Sequence, residues 1–442
     1  MKVHADQTSL IDRLSALAQA PWLRWLLVAA LVMLYTSWIG YVIHYNKPVD
    51  FYVYYSAALA SHQGHNVYEL DAETWGNLGG FPGIPFNDIP YPYRYPPFFY
   101  VGMTPFTLLP PRVAATVWAL ASGVALIGSA WLLSRTFHTP QSEVVMLVLL
   151  GLSVPALATV HVGQVTALVL LCLVLSLYAY KKNRPVWAGL ALGAAVLLKL
   201  IPIALVAYMF WRRQFKATLV AVLVVVAAIL ISLPLAGLDD YTSYTRLAGV
   251  LARADVLTTT PPNQSLGGFI GRFSWFLPGD SALYLKVIRV LNLCFVIATI
   301  LLCWPPGDFA HRVSLEFGLV VVTLQLITPF AWLHQLILLL IPLGVLAYKI
   351  LTEKRKRFLV LPVAVACVLI DIQGLFWHQL MPYTLLLSLG TYGTLILWGV
   401  LAWLLLRNSR GPPSLAPQPD QMRFNVDNLK GSAREQAPPR AT

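Results

Sequence analysis

The chain has 442 residues, of which 58% are hydrophobic and only 11% charged. A soluble domain carries roughly 25% charged residues, so a soluble enzyme is excluded and most of this chain must face lipid. The net charge of +12 sits in short basic clusters at the ends of apolar runs, which is the positive-inside pattern of a membrane protein and not a nucleic-acid footprint.

The first apolar run covers residues 23–43, long enough to cross a bilayer. A polar segment with Lys2 and Arg13 precedes it and no small-residue cleavage site follows, so it reads as a retained span with a cytoplasmic segment at 1–22. Residues 44–111 then form a first outer loop. It holds a helix opened by Asp50, a Gly/Pro-rich stretch at Gly79–Gly83, and Tyr91–Pro97, whose Tyr density suits the membrane interface. Within it, 98–109 is apolar but broken by Pro105, and too short to cross comfortably, which predicts a re-entrant or interfacial piece. Reading it as a true span is the competing topology, and that version places the Lys181 cluster outside, against the positive-inside rule.

Spans are predicted at 112–133, 144–160 and 165–180, the last two joined by His161-Val162-Gly163-Gln164. Segment 185–210 is flanked on both sides by basic clusters, Lys181–Arg184 and Arg212–Lys216. It must therefore go out and return, as two short helices meeting at the outer face with Lys199 at the tip. A span at 217–236 leads to a second outer loop, 237–280, which contains Asn263-Gln264-Ser265. Further spans follow at 282–303, 312–328, 333–350, 358–376 and 380–406, and Lys354–Arg357 marks one cytoplasmic turn. The count is about 12 transmembrane helices, all-α, with both termini inside. The Pro-, Gln- and Ser-rich tail, 407–442, reads as disordered and cytoplasmic. No strong internal repeat is visible, which weighs against an inverted-repeat transporter. The four cysteines, Cys172, Cys294, Cys303 and Cys367, show no metal or disulfide spacing.

This topology gathers Asp50, Arg94, His161, Gln164, Lys199, Asn263, Gln264, Arg272 and His334 on the outer side. Polar groups at the ends of apolar helices are costly unless paired or lining a wet cavity. One acid among several cations suits phosphate chemistry: the cations hold a phosphate and the carboxylate takes a proton from an attacking hydroxyl. Each residue also has a plainer reading. Asp50 reads as a helix N-cap, Lys199 as a snorkelling side chain, the histidines as interfacial hydrogen-bonders, and Asn263-Gln264-Ser265 as a polar turn.

The order of motifs carries more than any one of them. Asp50 opening an aromatic helix, Tyr95-Pro96-Pro97, Gly163-Gln164, Leu198-Lys199-Leu200-Ile201-Pro202, Asn263-Gln264-Ser265 and Trp332-Leu333-His334 occur in that sequence over residues 23–406. This resembles the GT-C membrane glycosyltransferases, and most of all glycosyltransferase family 87, the polyprenol-phosphate-mannose-dependent α-mannosyltransferases. The resemblance implies a GT-C fold, with the transmembrane catalytic domain at 23–406. It implies transfer of a sugar, mannose by default, from a polyprenyl-phosphate donor to a glycolipid or glycan hydroxyl at the extracytoplasmic face. It also implies Asp50 as catalytic base, with Lys199, Arg94 and His334 on the donor phosphate. Tyr54, Tyr95, His161, Gln164, Asn263, Gln264, Ser265 and Arg272 are then expected to contact substrate. No cofactor, metal or nucleic acid is expected, and the short loops point to a bacterial inner membrane with a periplasmic active site. The alternative from another class is a lipid or polysaccharide transporter or flippase.

Overall fold

The computed structural model describes residues 17–71, 74–75, 78, 93–137, 139, 141–253, 262–275, 281–304, 310–380 and 388–408. The Gly79–Gly83 stretch, most of the 1–22 segment and nearly all of the 407–442 tail lie outside the described residues. Those described form helices and short 3-10 turns with no strand, as backbone crossing lipid must satisfy its own hydrogen bonds.

The N-terminal helix α1 (Pro21–Tyr45) is followed by the short α2 (Val49–His62), which carries Asp50. The predicted N-cap is displaced: Pro48 occupies the cap position and Asp50 lies in the first turn. Residues 98–109 stay short, as α3 (Pro97–Met103) followed by a 3-10 turn from Thr104 to Leu108. Next come α4 (Pro111–Phe137), α5 (Ser142–Leu152) and α6 (Val154–Val162). The single span expected at 144–160 is thus two helices, bent by 58°. The bend falls at Ser153, whose side chain caps α6 just before Pro155, a residue compatible only with a helix's first turn. Asp371, far along the chain, accepts the N–H of Val154 at 3.0 Å and completes that cap.

Helix α7 (Thr166–Lys181) precedes α8 (Pro185–Leu198) and α9 (Ile203–Trp211). The last two are the predicted pair of short helices, separated at Lys199, whose backbone is extended. Helix α8 presses Gly189 and Gly193 against α10 (Phe215–Arg253); a Cβ on Gly189 would lie 2.4 Å from the Ala217 carbonyl oxygen. Small residues four apart let membrane helices approach backbone to backbone. With 39 residues, α10 would measure roughly 58 Å straight, about twice the hydrocarbon thickness. It breaks near Pro234 and at Gly237 (φ 81°). Its distal part docks on the segment between α1 and α4: Tyr100 donates to Asp240 at 2.6 Å and Ser243 to Glu69 at 2.7 Å.

The chain continues through α11 (Leu266–Arg272), α12 (Ser281–Leu302) and α13 (Ala310–Ile327). A 3-10 segment, Leu333–Leu339, runs straight into α14 (Leu340–Thr352), followed by α15 (Val360–Leu380) and α16 (Leu389–Asn408). Among the described residues seven helices are long and apolar enough to cross a membrane, or eight with the bent α5–α6 pair as one. The count of about 12 is not reached by that criterion. Helices α7 and α8 are apolar but under 18 residues, and α13 holds the buried charges Arg312 and Glu316. Glu316 is offset from both sides, by Arg212 at 3.4 Å and Arg312 at 3.2 Å, with the Tyr208 hydroxyl at 3.0 Å. The architecture is therefore a polytopic all-α membrane protein.

Gly163 ends α6 with φ 70°, left-handed backbone where a side chain is strained. A Cβ there would come within 2.7 Å of the Phe51 Cβ and 2.9 Å of the Pro48 Cβ, at the start of α2. Gly163→Ala should therefore push α2 off the bundle. The expected outcome is a lower Tm in detergent together with loss of activity, whereas Gly64→Ala, also at positive φ but with nothing within 4 Å, should lower stability only by backbone strain.

Candidate active site

Helix α2 packs its aromatic side chains into the core, with Phe51, Tyr54 and Tyr55 buried. Asp50 and Tyr54 are four residues apart and so share a face. Both meet Gln164, the residue after the Gly163 turn. The Gln164 amide nitrogen donates to Asp50 Oδ2 at 2.8 Å. Its carbonyl oxygen accepts from the Tyr54 hydroxyl at 2.6 Å, the Tyr95 hydroxyl at 2.8 Å and the Val165 N–H at 3.0 Å. Tyr95 reaches this point because its ring stacks on Phe99, with centroids 4.5 Å apart.

Asp50 is only partly covered, and no described residue donates to its Oδ1. Burial pushes its carboxyl up to about 6 against the opposing effect of the Lys199 charge, the Gln164 hydrogen bond and the Arg94 charge. Burial is also the first cause that raises both phenols, and the Asp50 charge adds to it. Tyr54 and Tyr95 thus remain neutral donors at physiological pH. Burial lowers Arg94, and Asp50 partly restores it; an arginine stays charged regardless.

Lys199 stands in the gap between α8 and α9, and its ammonium donates to Gln335 Oε1 at 3.1 Å. Gln335 follows His334, whose Nε2 is buried with no hydrogen-bond partner among the described residues. The His334 carbonyl oxygen accepts from Thr159 on α6 at 2.9 Å. Arg94 lies over the Phe330 ring at 5.6 Å. Asp50, Arg94 and Lys199 are thereby within electrostatic reach of one another, with His334 beside Lys199. One acid thus shares a neighbourhood with two cations and, beside Lys199, an imidazole. Such a group can hold a phosphate dianion or diester and accept a proton beside it. Among the described residues, no three His, Cys, Asp or Glu side chains gather as a metal-ligand set.

The other residues read from the sequence have contacts of their own. His161 packs its ring 5.8 Å from Trp38 on α1. Asn263 is fully buried; its side chain donates to Pro329 O at 2.8 Å and accepts from Ala331 N–H at 3.0 Å. The Gln264 N–H donates to Ala331 O at 2.7 Å, Ser265 caps α11 at Gly268, and Arg272 donates to Asn263 O and Ser388. Asn263 and Gln264 thus brace the 329–331 segment, which carries Phe330 under Arg94 and leads into His334.

Sequence reasoning missed Gln335, Phe330, Thr159 and Asp371. Only Asp371 left a readable trace, as an acid inside an apolar run. The other three become visible through their partners alone.

The chain is similar to a polyprenol-phosphate-mannose-dependent alpha-(1-2)-phosphatidylinositol pentamannoside mannosyltransferase of Mycobacterium tuberculosis, 28% identical over 257 residues, which is 56% of each chain. The same-named protein of Mycolicibacterium smegmatis is 28% identical over 56% of this chain and 59% of its own. A phosphatidylinositol mannoside mannosyltransferase of Mycolicibacterium smegmatis is 24% identical over 75% of this chain and 78% of its own. The match thus spans little more than half the length of the first two relatives. No solved structure matches the chain. The model of glycosyltransferase family 87 matches residues 93–329, which takes in Arg94, Tyr95, Gln164 and Lys199 and leaves Asp50 and His334 outside it. That match covers more than half of the 442 residues, and the chain belongs to glycosyltransferase family 87.

Proposed function

We propose that this protein is a membrane glycosyltransferase that moves a sugar from a polyprenyl-phosphate donor to a hydroxyl of a glycolipid acceptor, with Asp50 as general base. The observation that carries the reading is the partly exposed Asp50 carboxylate, held by Gln164 and faced by Lys199 and Arg94. The named relatives use polyprenol-phosphate-mannose and act on phosphatidylinositol mannosides, so mannose is the first donor sugar to test and a mannosylated inositol lipid the first acceptor. All of those relatives are transferases, and the transport reading draws no support from them.

The reaction is a single displacement at the anomeric carbon. The acceptor O–H lies against Asp50 Oδ1 and gives its proton to the carboxylate as the new C–O bond forms. The bond to the donor phosphate oxygen breaks, and its electron pair leaves with the polyprenyl phosphate. Lys199 and Arg94 take the negative charge that grows on that phosphate, and the His334 Nε2 faces the same oxygens. A phosphate leaves as a stable anion and needs no proton, so one carboxylate suffices where glycosidases use two. The single displacement inverts the anomeric centre. The extracytoplasmic placement rests on the basic clusters Lys181–Arg184, Arg212–Lys216 and Lys354–Arg357 at the far ends of the helices.

Asp50→Asn should fold as wild type and lose turnover by about 10²–10⁴-fold, the usual contribution of a general base. The check is transfer from labelled polyprenyl-phosphate-mannose in lipid, and a purified variant that keeps full activity would remove Asp50 from this role.

The base must be ionised, so log(kcat/KM) should rise with unit slope below about pH 6 and level off above it. Removing the Lys199 charge withdraws the largest influence that holds Asp50 down. Lys199→Met should therefore move this limb to higher pH, and further than Gln164→Leu does, while raising the donor KM about 10-fold or more.

A further inference from the structure

A second polar site lies at the opposite end of the helices that build the first. Helix α7 runs from the Gly163-Gln164 junction to Lys181 over 16 residues, roughly 24 Å at 1.5 Å each. The rod that starts beside His334 likewise ends at Thr352. Between those two far ends is a cavity of about 270 Å³, walled by Lys181, Lys349, Ser314, Tyr348, Thr352 and Glu353.

Each lysine is fixed to the wall and keeps donors to spare. Lys181 donates to the Thr136 carbonyl at 3.1 Å and lies 4.9 Å from the Phe137 ring, which in turn stacks on Tyr348 at 5.4 Å. Lys349 bonds Glu353 at 2.7 Å, one turn along α14. An ammonium has three N–H donors, so both lysines retain donors toward the cavity. Two cations against one carboxylate leave a positive excess there, and three hydroxyls stand beside it. That inventory suits a tetrahedral oxyanion. At about 270 Å³ the cavity lies just below the roughly 300–1,000 Å³ of a typical small-molecule pocket, a size that suits a headgroup. Lys182 follows Lys181 and Lys354–Arg357 follow Glu353, a basic collar of the kind that draws anionic lipid to a membrane face.

We infer that this cavity binds the phosphate of an anionic lipid headgroup in the leaflet opposite the one served by Asp50. Glu353 then accepts from the headgroup's hydroxyls. Bound there, the lipid ties α7 to α14, the two elements next to Gln164 and His334.

The test is native mass spectrometry of the full-length protein in neutral detergent, titrated with phosphatidylglycerol, phosphatidylcholine or inorganic phosphate. Phosphatidylglycerol should bind at least 10-fold tighter than phosphatidylcholine, and K181Q/K349Q should remove that preference while K181R/K349R keeps it. In the wild type, inorganic phosphate should displace phosphatidylglycerol, an arm that needs no variant to fold. Equal binding of the two lipids, or a K181Q/K349Q protein that still prefers phosphatidylglycerol, would overturn the inference. Binding of inorganic phosphate with no preference between the lipids would overturn the lipid source.

Discussion

The amide of Gln164 is the interaction on which this site depends. Its carbonyl oxygen takes three donors, one of them the Val165 N–H, which can only donate. Its orientation is therefore fixed, and its nitrogen must point at Asp50. A single side chain thus joins the segment just before α3, through Tyr95, to α2, through Asp50 and Tyr54, and to the start of α7. The Gly163 turn makes this possible by letting α6 end against the first turn of α2. Move that turn and the carboxylate loses its only fixed neighbour among the described residues.

Around this joint the membrane sets the terms. Ionisable groups inside an apolar bundle have to be paired, capped or given a wet space, and the described ones are sorted accordingly. Glu316 sits between Arg212 and Arg312, and Asp371 closes the broken end of α6. Asp50 is different: it receives one hydrogen bond, keeps one oxygen open, and meets its cations across a gap instead of in contact. The first arrangement belongs to a scaffold. The second leaves electrostatic energy available to a ligand that brings its own negative charge.

How much of this was legible depends on how local the signal was. Lys199 could be placed at a turn because basic clusters on both flanks forced the chain back, and α8 and α9 separate at that residue. Asp50 and Gly163-Gln164 stood out as polar or flexible residues beside apolar runs. The bond between Asp50 and Gln164 was not legible, because 114 residues separate them and no spacing rule spans that distance. Asn263, Gln264 and Arg272 have the composition of a binding loop, and the partners of their polar atoms, among them the backbone of 329–331, Thr391 and Ser388, are decided only by tertiary packing. The count of about 12 spans is not confirmed for a related reason: length and hydropathy do not separate a crossing helix from a short apolar helix or from a buried one such as α13, whose charges are paired.

The same arrangement has a consequence for how the protein is made. Asp50 and His334 are 284 positions apart (334 − 50), and at about 5–20 residues per second a ribosome needs roughly 14 to 57 s to travel between them. The carboxylate is made with Gln164 still to come, then Lys199, and last the imidazole, after more than half of the candidate membrane-crossing helices have been synthesised. No nascent chain shorter than about three-quarters of the protein holds the complete group. Biogenesis itself therefore keeps the group incomplete until the 3-10 segment that carries His334 has been made.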